Sequence, residues 1–463
     1  MTSNFCIRYF AFATMLSCCG IVMLRTPSNA LSSDAPRSDQ PITIKILTAK
    51  GVPIHRLLYG INYDWNAVPA TRVAEFAKTI RGLAHVTLVR YPGGWNAENY
   101  NWSNNTEKRW RKAPKVPGAD PKAILGVFPM VSFITPSARA IKNPELASSV
   151  GRLSANLVRR YGTGVHIWEI GNEWWLQRGG KRNKKIRAEN LARYAHLLDV
   201  VVPDMKKANP SVHLFATAEW ERPNDMRRLR SLTGAKVWKL IYGISLHTYC
   251  GTNGLLFTSL PTALAKIRKA SGKTVLYSSE WAVVRHHAPE DFGIHNASYT
   301  VDAIQAMAFA GIQFGAYWPP VREIPALAFE SASYNIPFAT GIIFGWMSRY
   351  YRGEALHVSG DPHAVAAINN GKITVIVPSY ARGQMFIRID LNGTGMKRVA
   401  SAKVLFSDAP NHRKSTLPAG VAILPTHIIH AGGGETYVEF TLNPGTPGRG
   451  SAYEIARVIL ALE

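Results

Sequence analysis

Cysteine is scarce in this chain of 463 residues: there are four, and Cys6, Cys18 and Cys19 crowd the start, which leaves Cys250 alone in the remainder. One thiol forms no intramolecular disulfide and no cysteine zinc cluster, so disulfide scaffolds and zinc-ribbon modules are excluded. Acidic residues are also few, 30 against 54 Lys and Arg, a formal charge of +24. That imbalance favours an anionic partner or surface without naming it. Only 18% of residues are charged, while 12 Trp, 18 Tyr and 17 Phe supply bulky apolar area. Disordered, collagen-like and coiled-coil chains do not have this composition. Beyond the first thirty residues there is no apolar run long enough to span a membrane. The chain lacks a G-x-S-x-G elbow and a Walker A loop, which removes the serine-hydrolase and P-loop readings. Nucleic-acid binding rests on charge alone, because no nucleic-acid module is present.

The start reads as a secretory signal. Arg8 supplies a positive charge, residues 10–24 an apolar stretch, and Ser28-Asn29-Ala30 small residues at a cleavage site after Ala30. Residues 1–30 are expected to be removed, giving a secreted or periplasmic protein with no stable membrane span. An uncleaved anchor, or a lipid site at Cys18 after Met15-Leu16-Ser17, is the alternative. Residues 31–50 are read as a linker followed by a strand in which Ile42, Ile44 and Ile46 alternate.

Over residues 51–350 short apolar runs alternate with amphipathic stretches. Strands are predicted at 57–62, 86–91, 124–132, 165–171, 212–216, 241–246, 274–278 and 315–318, with crossover helices at 73–82, 146–161, 189–208, 260–271 and 301–310. Eight such units fit a (β/α)₈ barrel better than an open doubly wound sheet of five or six strands. From 351 to 463 helical periodicity fades into strand-like runs at 372–377, 384–391, 397–406, 436–442 and 453–462. The fold class is therefore α/β: a (β/α)₈ TIM barrel followed by a C-terminal all-β sandwich that recruits the N-terminal strand.

In such a barrel, chemistry sits at the C-terminal strand ends. The fourth strand runs into Ile170-Gly171-Asn172-Glu173-Trp174-Trp175 and the seventh into Ser278-Ser279-Glu280-Trp281. The two glutamates are 280 − 173 = 107 residues apart, three barrel units, so they face each other across the mouth. Two opposed carboxylates suit glycosidic cleavage, where one donates a proton to the leaving oxygen and the other attacks the anomeric carbon or activates water. Trp168, Trp174, Trp175 and Trp281 serve either as sugar platforms or as core.

These motifs resemble the acid/base and nucleophile segments of the retaining clan A glycoside hydrolases, closest to family 51, the α-L-arabinofuranosidases and some endoglucanases, and then to family 39. Leu88-Val89-Arg90-Tyr91-Pro92-Gly93-Gly94 with Tyr100-Asn101-Trp102, His247-Thr248-Tyr249, and Trp318 extend the resemblance over about residues 41–463. Trp174-Trp175 and Ser279 depart from the usual family 51 residues, which ties the chain more firmly to the clan than to the family. The resemblance implies that Glu173 is the acid/base and Glu280 the nucleophile, with carboxyl groups about 5 Å apart. It further implies that Asn172 bonds the sugar 2-hydroxyl, that Arg90 and Tyr249 orient Glu280 and keep it ionised, and that His247, Trp318 and Trp281 line the substrate site.

No metal or organic cofactor is called for, since the spacing of His286, His287 and His295 matches no standard ligand motif. Basic runs at 108–112, 181–185 and 227–230 are expected near the catalytic face, either as solvated surface or as an electropositive mouth for an acidic, uronate-bearing polysaccharide. The competing reading is a non-catalytic glycan-binding protein on a barrel scaffold.

Overall fold

The computed structural model describes residues 40–63, 68–94, 96–103, 106–108, 115–117, 120–249, 255–283, 293–321, 337–361, 363–378, 384–406, 420–431, 434–442 and 454–462. Eight parallel strands close into a barrel in sequence order: Gly60–Asn62, Leu88–Tyr91, Val131–Thr135, Ile167–Ile170, His213–Ala218, Gly243–His247, Leu276–Trp281 and Phe314–Tyr317, with the eighth pairing back onto the first. Each strand is almost wholly buried, because helices cover the outside and side chains fill the inside. The helices Val73–Ala84, Ala147–Tyr161, Lys184–Ala208, Leu255–Ser271 and Gly293–Phe309 correspond to the predicted crossovers.

The third strand is a correction. Residues 124–127, expected as its first half, belong to helix Pro121–Val127, and the strand begins only at Val131. The Asp120 carboxylate accepts from the backbone N–H of Lys122, and Pro121 occupies the first turn, a helix start that outweighs the apolar run behind it. Similarly, Arg56–Leu58 is a 3₁₀ turn rather than the opening of the first strand.

The interior of the barrel is layered. At the bottom Leu88, Ile167, Phe215, Tyr277 and Phe314 pack together. Two residues further along the strands the filling turns polar, with Arg90, Glu169, Ser245 and Ser279 all fully buried. A charged layer thus lies above an apolar plug, on the side of the C-terminal strand ends.

Strand Ile42–Ile54, ahead of the barrel in sequence, inserts between Gly353–Ser359, which it pairs antiparallel, and Met385–Asp390, which it pairs parallel. The C-terminal strands thus form one ten-stranded mixed sheet that closes over its own core of Ile44, Leu356, Val375, Ile387, Phe440 and Val458. Four strands absent from the sequence expectation, Gly353–Ser359, Val365–Asn369, Gly420–Ile423 and His427–His430, complete it. Among the described residues no helix is long and apolar enough to cross a membrane.

Candidate active site

The seventh strand carries the feature that builds the site. Side chains alternate along a regular strand, so with Tyr277 and Ser279 inside, Glu280 would face out and Trp281 in. The pairing register to the sixth strand slips between Leu246↔Ser278 and His247↔Glu280, a bulge at Ser279. Bulges re-aim side chains, and here Ser279 and Glu280 both face inward while Trp281 turns out. Trp281 is buried between Tyr317 and a stacked Phe344, and so belongs to the layer between barrel and helices. The expectation that Trp281 lines the substrate site is therefore corrected.

Arg90 is the hub. Its Nε donates to Glu169 at 2.5 Å, its Nη1 to Asn62 at 2.9 Å and to Glu280 at 2.7 Å, and its Nη2 to Asn172 at 2.8 Å. Glu169 also accepts from the hydroxyls of Ser245 at 2.5 Å and Ser279 at 2.9 Å. Burial works against the Arg90 charge, but Glu169 and Glu280 outweigh it and hold the guanidinium protonated. The other oxygen of Glu280 accepts from the Tyr249 hydroxyl at 2.7 Å and lies 3.5 Å from His247 Nδ1. Burial pushes the Glu280 carboxyl up, whereas His247, Arg90 and the Tyr249 hydrogen bond pull it down, and the net direction is below the ordinary carboxylate value. Burial and the two glutamates raise Tyr249 well above its usual value, so it remains a donor.

Glu173 follows Gly171-Asn172 in a left-handed conformation, φ 45° and ψ 50°, an uncommon place for a glutamate. Its carboxylate is partly open to the mouth and meets His247 Nδ1 at 3.0 Å. Desolvation lowers the His247 value, but Glu280 and Glu173 together more than reverse this, so the imidazole is held above its ordinary value. Glu173, His247 and Glu280 each place a ligating atom within 4.8 Å of the others.

Among the described residues this is the group of side chains close enough to share a cation. The Arg90 guanidinium already supplies a buried positive charge 2.7 Å from Glu280, so a divalent ion there would sit against a like charge.

Two buried nitrogens in this cluster have no partner among the described residues. Arginine can only donate, so the Asn172 oxygen faces Arg90 and its Nδ2 points elsewhere. That Nδ2 and His247 Nε2 are both buried without a hydrogen-bond partner among the described residues. Buried polar atoms are normally satisfied, and two orphans beside a carboxylate pair fit a ligand rich in hydroxyls.

The loop after the second strand completes the wall. A Cβ on Gly94, where φ is +57°, would lie 3.2 Å from Glu280 Oε1 and 3.6 Å from the Trp318 ring, so backbone, carboxylate and indole are in near contact. Trp318 is partly exposed, unlike Trp281.

Glu98 buttresses this loop. Its carboxylate accepts from the N–H groups of Ser137, Ala138 and Asn172 and from the Ser137 hydroxyl, at 2.6 to 2.9 Å. Burial raises its value, and those four bonds oppose the rise. Sequence reasoning missed both Glu98 and Glu169. Glu169 stood two residues inside a recognised strand end, on the inward side that periodicity assigns to Ile167 and Glu169 alike.

The other expectations divide. Trp168 donates to Val165 O and packs on Phe133 in the core, and Trp174 stacks on Tyr194. Trp175 packs edge-on against His247 at 5.6 Å and so supports the site from behind. The run 181–185 is exposed after the fourth strand. Residues 109–112 of the first run, and His286 and His287, lie outside the described residues. The third run is corrected: Arg227, Arg228 and Arg230 sit on helix Pro223–Leu232, and Arg230 reaches Gly272, at the opposite end of the barrel, where a Cβ would meet Nη1 at 2.8 Å.

Comparison with solved structures places this architecture. A family 51 α-L-arabinofuranosidase from Bifidobacterium longum superposes with a TM-score of 0.61 at 17% identity, covering 90% of this chain and 99% of that one. The family 51 arabinofuranosidase of Xanthomonas axonopodis pv. citri gives 0.64 at 12% identity, over 90% and 99% of the two chains. A family 44 xyloglucanase from Paenibacillus polymyxa gives 0.58 at 14% identity, over 91% and 99%. The fold is that of family 51 and family 44 glycoside hydrolases. No protein-family model matches the chain, and no curated protein matches it. The strand-end motifs and the three-dimensional likeness thus agree on the (β/α)₈ barrel fold.

Proposed function

We propose that the protein is a retaining glycoside hydrolase that cleaves an O-glycosidic bond by double displacement. One observation carries this reading: carboxylate oxygens of Glu173 and Glu280 approach within 4.8 Å. Retaining enzymes hold their carboxyl pair about 5 to 5.5 Å apart, and inverting enzymes leave room for a water at roughly 6.5 Å or more.

Environment separates the roles. Glu280, bonded to Arg90 and Tyr249 and kept below its ordinary value, is the ionised group that attacks the anomeric carbon. Glu173 opens to the mouth and meets His247 Nδ1 at 3.0 Å, the position of a group that hands a proton to the departing oxygen. After the glycosyl ester forms on Glu280, Glu173 takes a proton from the incoming water, which displaces Glu280 and restores the starting anomer. Asn172 Nδ2 would donate to the hydroxyl beside the anomeric centre, and Trp318 would cover the sugar face. Arg90 stays charged and fixes the trajectory of Glu280.

Export with cleavage after Ala30 remains part of the proposal, on the strength of Arg8, the apolar stretch and Ser28-Asn29-Ala30; N-terminal sequencing of the exported protein checks it. A uronate-bearing substrate is supported by the exposed run at 181–185 and by the charge of +24. Strong salt inhibition of polymer turnover, with small neutral substrates unaffected, is the expected signature, and turnover insensitive to salt would remove it.

The test is a panel of aryl glycosides and polysaccharides assayed for released sugar, with Glu280→Gln alongside. Turnover that vanishes in Glu280→Gln while folding is kept supports the proposal. Turnover unchanged in Glu280→Gln refutes it, and binding without turnover in either protein assigns the scaffold to glycan recognition instead.

A further inference from the structure

At the end of the barrel opposite the carboxylate pair lies a basin of about 610 Å³. Its walls are one face of helix Val73–Ala84 from Ala74 to Gly82, the His85-Val86 entry to the second strand, Gly126-Val127 ahead of the third, and Arg352 beyond helix Ala339–Tyr350. Lys78, Arg81, His85 and Arg352 line it, and among the described residues no acidic side chain does. Among the described residues none of these four forms an ion pair. Among the described residues Arg81 donates from Nη1 to Val127 O, at 2.9 Å, and Arg352 from Nε to Ser348 O, so each guanidinium is anchored by backbone and has further N–H groups to offer.

The charged Lys78, Arg81 and Arg352 gathered around one concave surface repel one another, and a concave wall of low dielectric focuses their field. His85 records the crowding: partial burial and the neighbouring Arg349 and Arg352 push its imidazole below the ordinary value. At Gly82 and Gly126 a Cβ would meet nothing within 4 Å, so these walls are backbone with open space in front. A group that accepts several N–H bonds and carries negative charge relieves the repulsion and fills the space.

We propose that this basin is an oxyanion-binding site, separate from the glycosidase centre, that takes a phosphate, sulfate or carboxylate group. The anion is either free or carried on an acidic glycan. The site requires no turnover, and so stands or falls independently of the proposed hydrolysis.

Inorganic phosphate is the first probe, titrated calorimetrically into the full-length protein at constant ionic strength made up with sodium chloride. Saturable binding at one site per chain is expected. Gly126→Glu places a negative charge in the basin without steric cost, and it should weaken phosphate binding by about tenfold or more. Lys78→Gln, at an exposed position, should weaken it by a smaller factor. Neither residue touches the catalytic cluster, so turnover of a small neutral substrate is expected to stay at the wild-type level in both. Polygalacturonate that competes with phosphate in the wild type, and no longer binds in Gly126→Glu, assigns the anion to a polymer; phosphate binding without such competition assigns it to a free ion. Phosphate heats that never saturate, or that are the same in wild type and Gly126→Glu, overturn the proposal.

Discussion

Glu169→Gln isolates the charge at the floor of the site. Arg90 and Glu169 are both fully buried, and the 2.5 Å bond between them is accompanied by two serine hydroxyls on the other carboxylate oxygen. Removing one member of a buried pair costs about 3 to 5 kcal/mol because the partner charge is stranded. Glutamine keeps an acceptor for Arg90 Nε and can donate to Ser245 and Ser279, whose hydroxyls rotate to accept. Arg90 also keeps Glu280 at 2.7 Å. The remaining loss is about 2 to 3 kcal/mol, measured by urea unfolding.

The catalytic consequence is separate. With one negative charge gone, Arg90 is drawn toward Glu280, and a displacement near 1 Å costs about a hundredfold in rate. Glu280→Gln should show the reverse balance: turnover falls by about four orders of magnitude or more, while stability falls less than in Glu169→Gln, since Arg90 retains Glu169. Equal stability loss in the two variants, or wild-type turnover in Glu169→Gln, would refute the division of labour between floor and nucleophile.

Gly94→Ala forces a Cβ onto a left-handed residue beside Glu280 and Trp318, so a cost of about 1 to 2 kcal/mol is expected, together with a raised KM for the substrate. Trp281→Ala should destabilise by about 3 to 5 kcal/mol in thermal or urea unfolding and leave KM unchanged at a temperature where the variant is folded, because the indole packs on Phe344 outside the mouth. For pH, the raised value of His247 means that its contribution to stability is full below about pH 6.5 and is lost as pH rises through the raised value. The depressed value of Glu280 means that its contribution is full above about pH 4.3 and is lost as pH falls through the lowered value. The thermal midpoint of wild type relative to His247→Gln should therefore narrow on the alkaline side, and a difference independent of pH would contradict the His247 assignment.

The barrel was legible because alternation of apolar runs and amphipathic stretches is a local property, and the glutamates were legible because a strand end followed by Asn-Glu or Glu-Trp is a short motif. Arg90, His247 and Tyr249 were reachable through the resemblance to clan A. Asp120-Pro121 announces helix Pro121–Val127, but the apolar run behind that cap has the look of a strand. The bulge at Ser279 was not legible at all: it is a relation between two strands, and no residue in Ser278-Ser279-Glu280 signals a slipped register on its own. The same relation decides that Trp281 is core. Glu169 and Glu98 gain meaning only from partners 79 and 39 residues away, Arg90 and Ser137 respectively, which pattern within one segment does not reveal.

The most direct measurement is the anomeric configuration of the first product. With the best substrate from the panel, proton NMR during the first minutes of hydrolysis distinguishes the anomers before mutarotation mixes them. A product that keeps the configuration of the substrate is expected from two carboxylates within 4.8 Å acting in turn as nucleophile and acid/base. An inverted product would contradict the double displacement through Glu280 and would require a water between Glu173 and Glu280 instead.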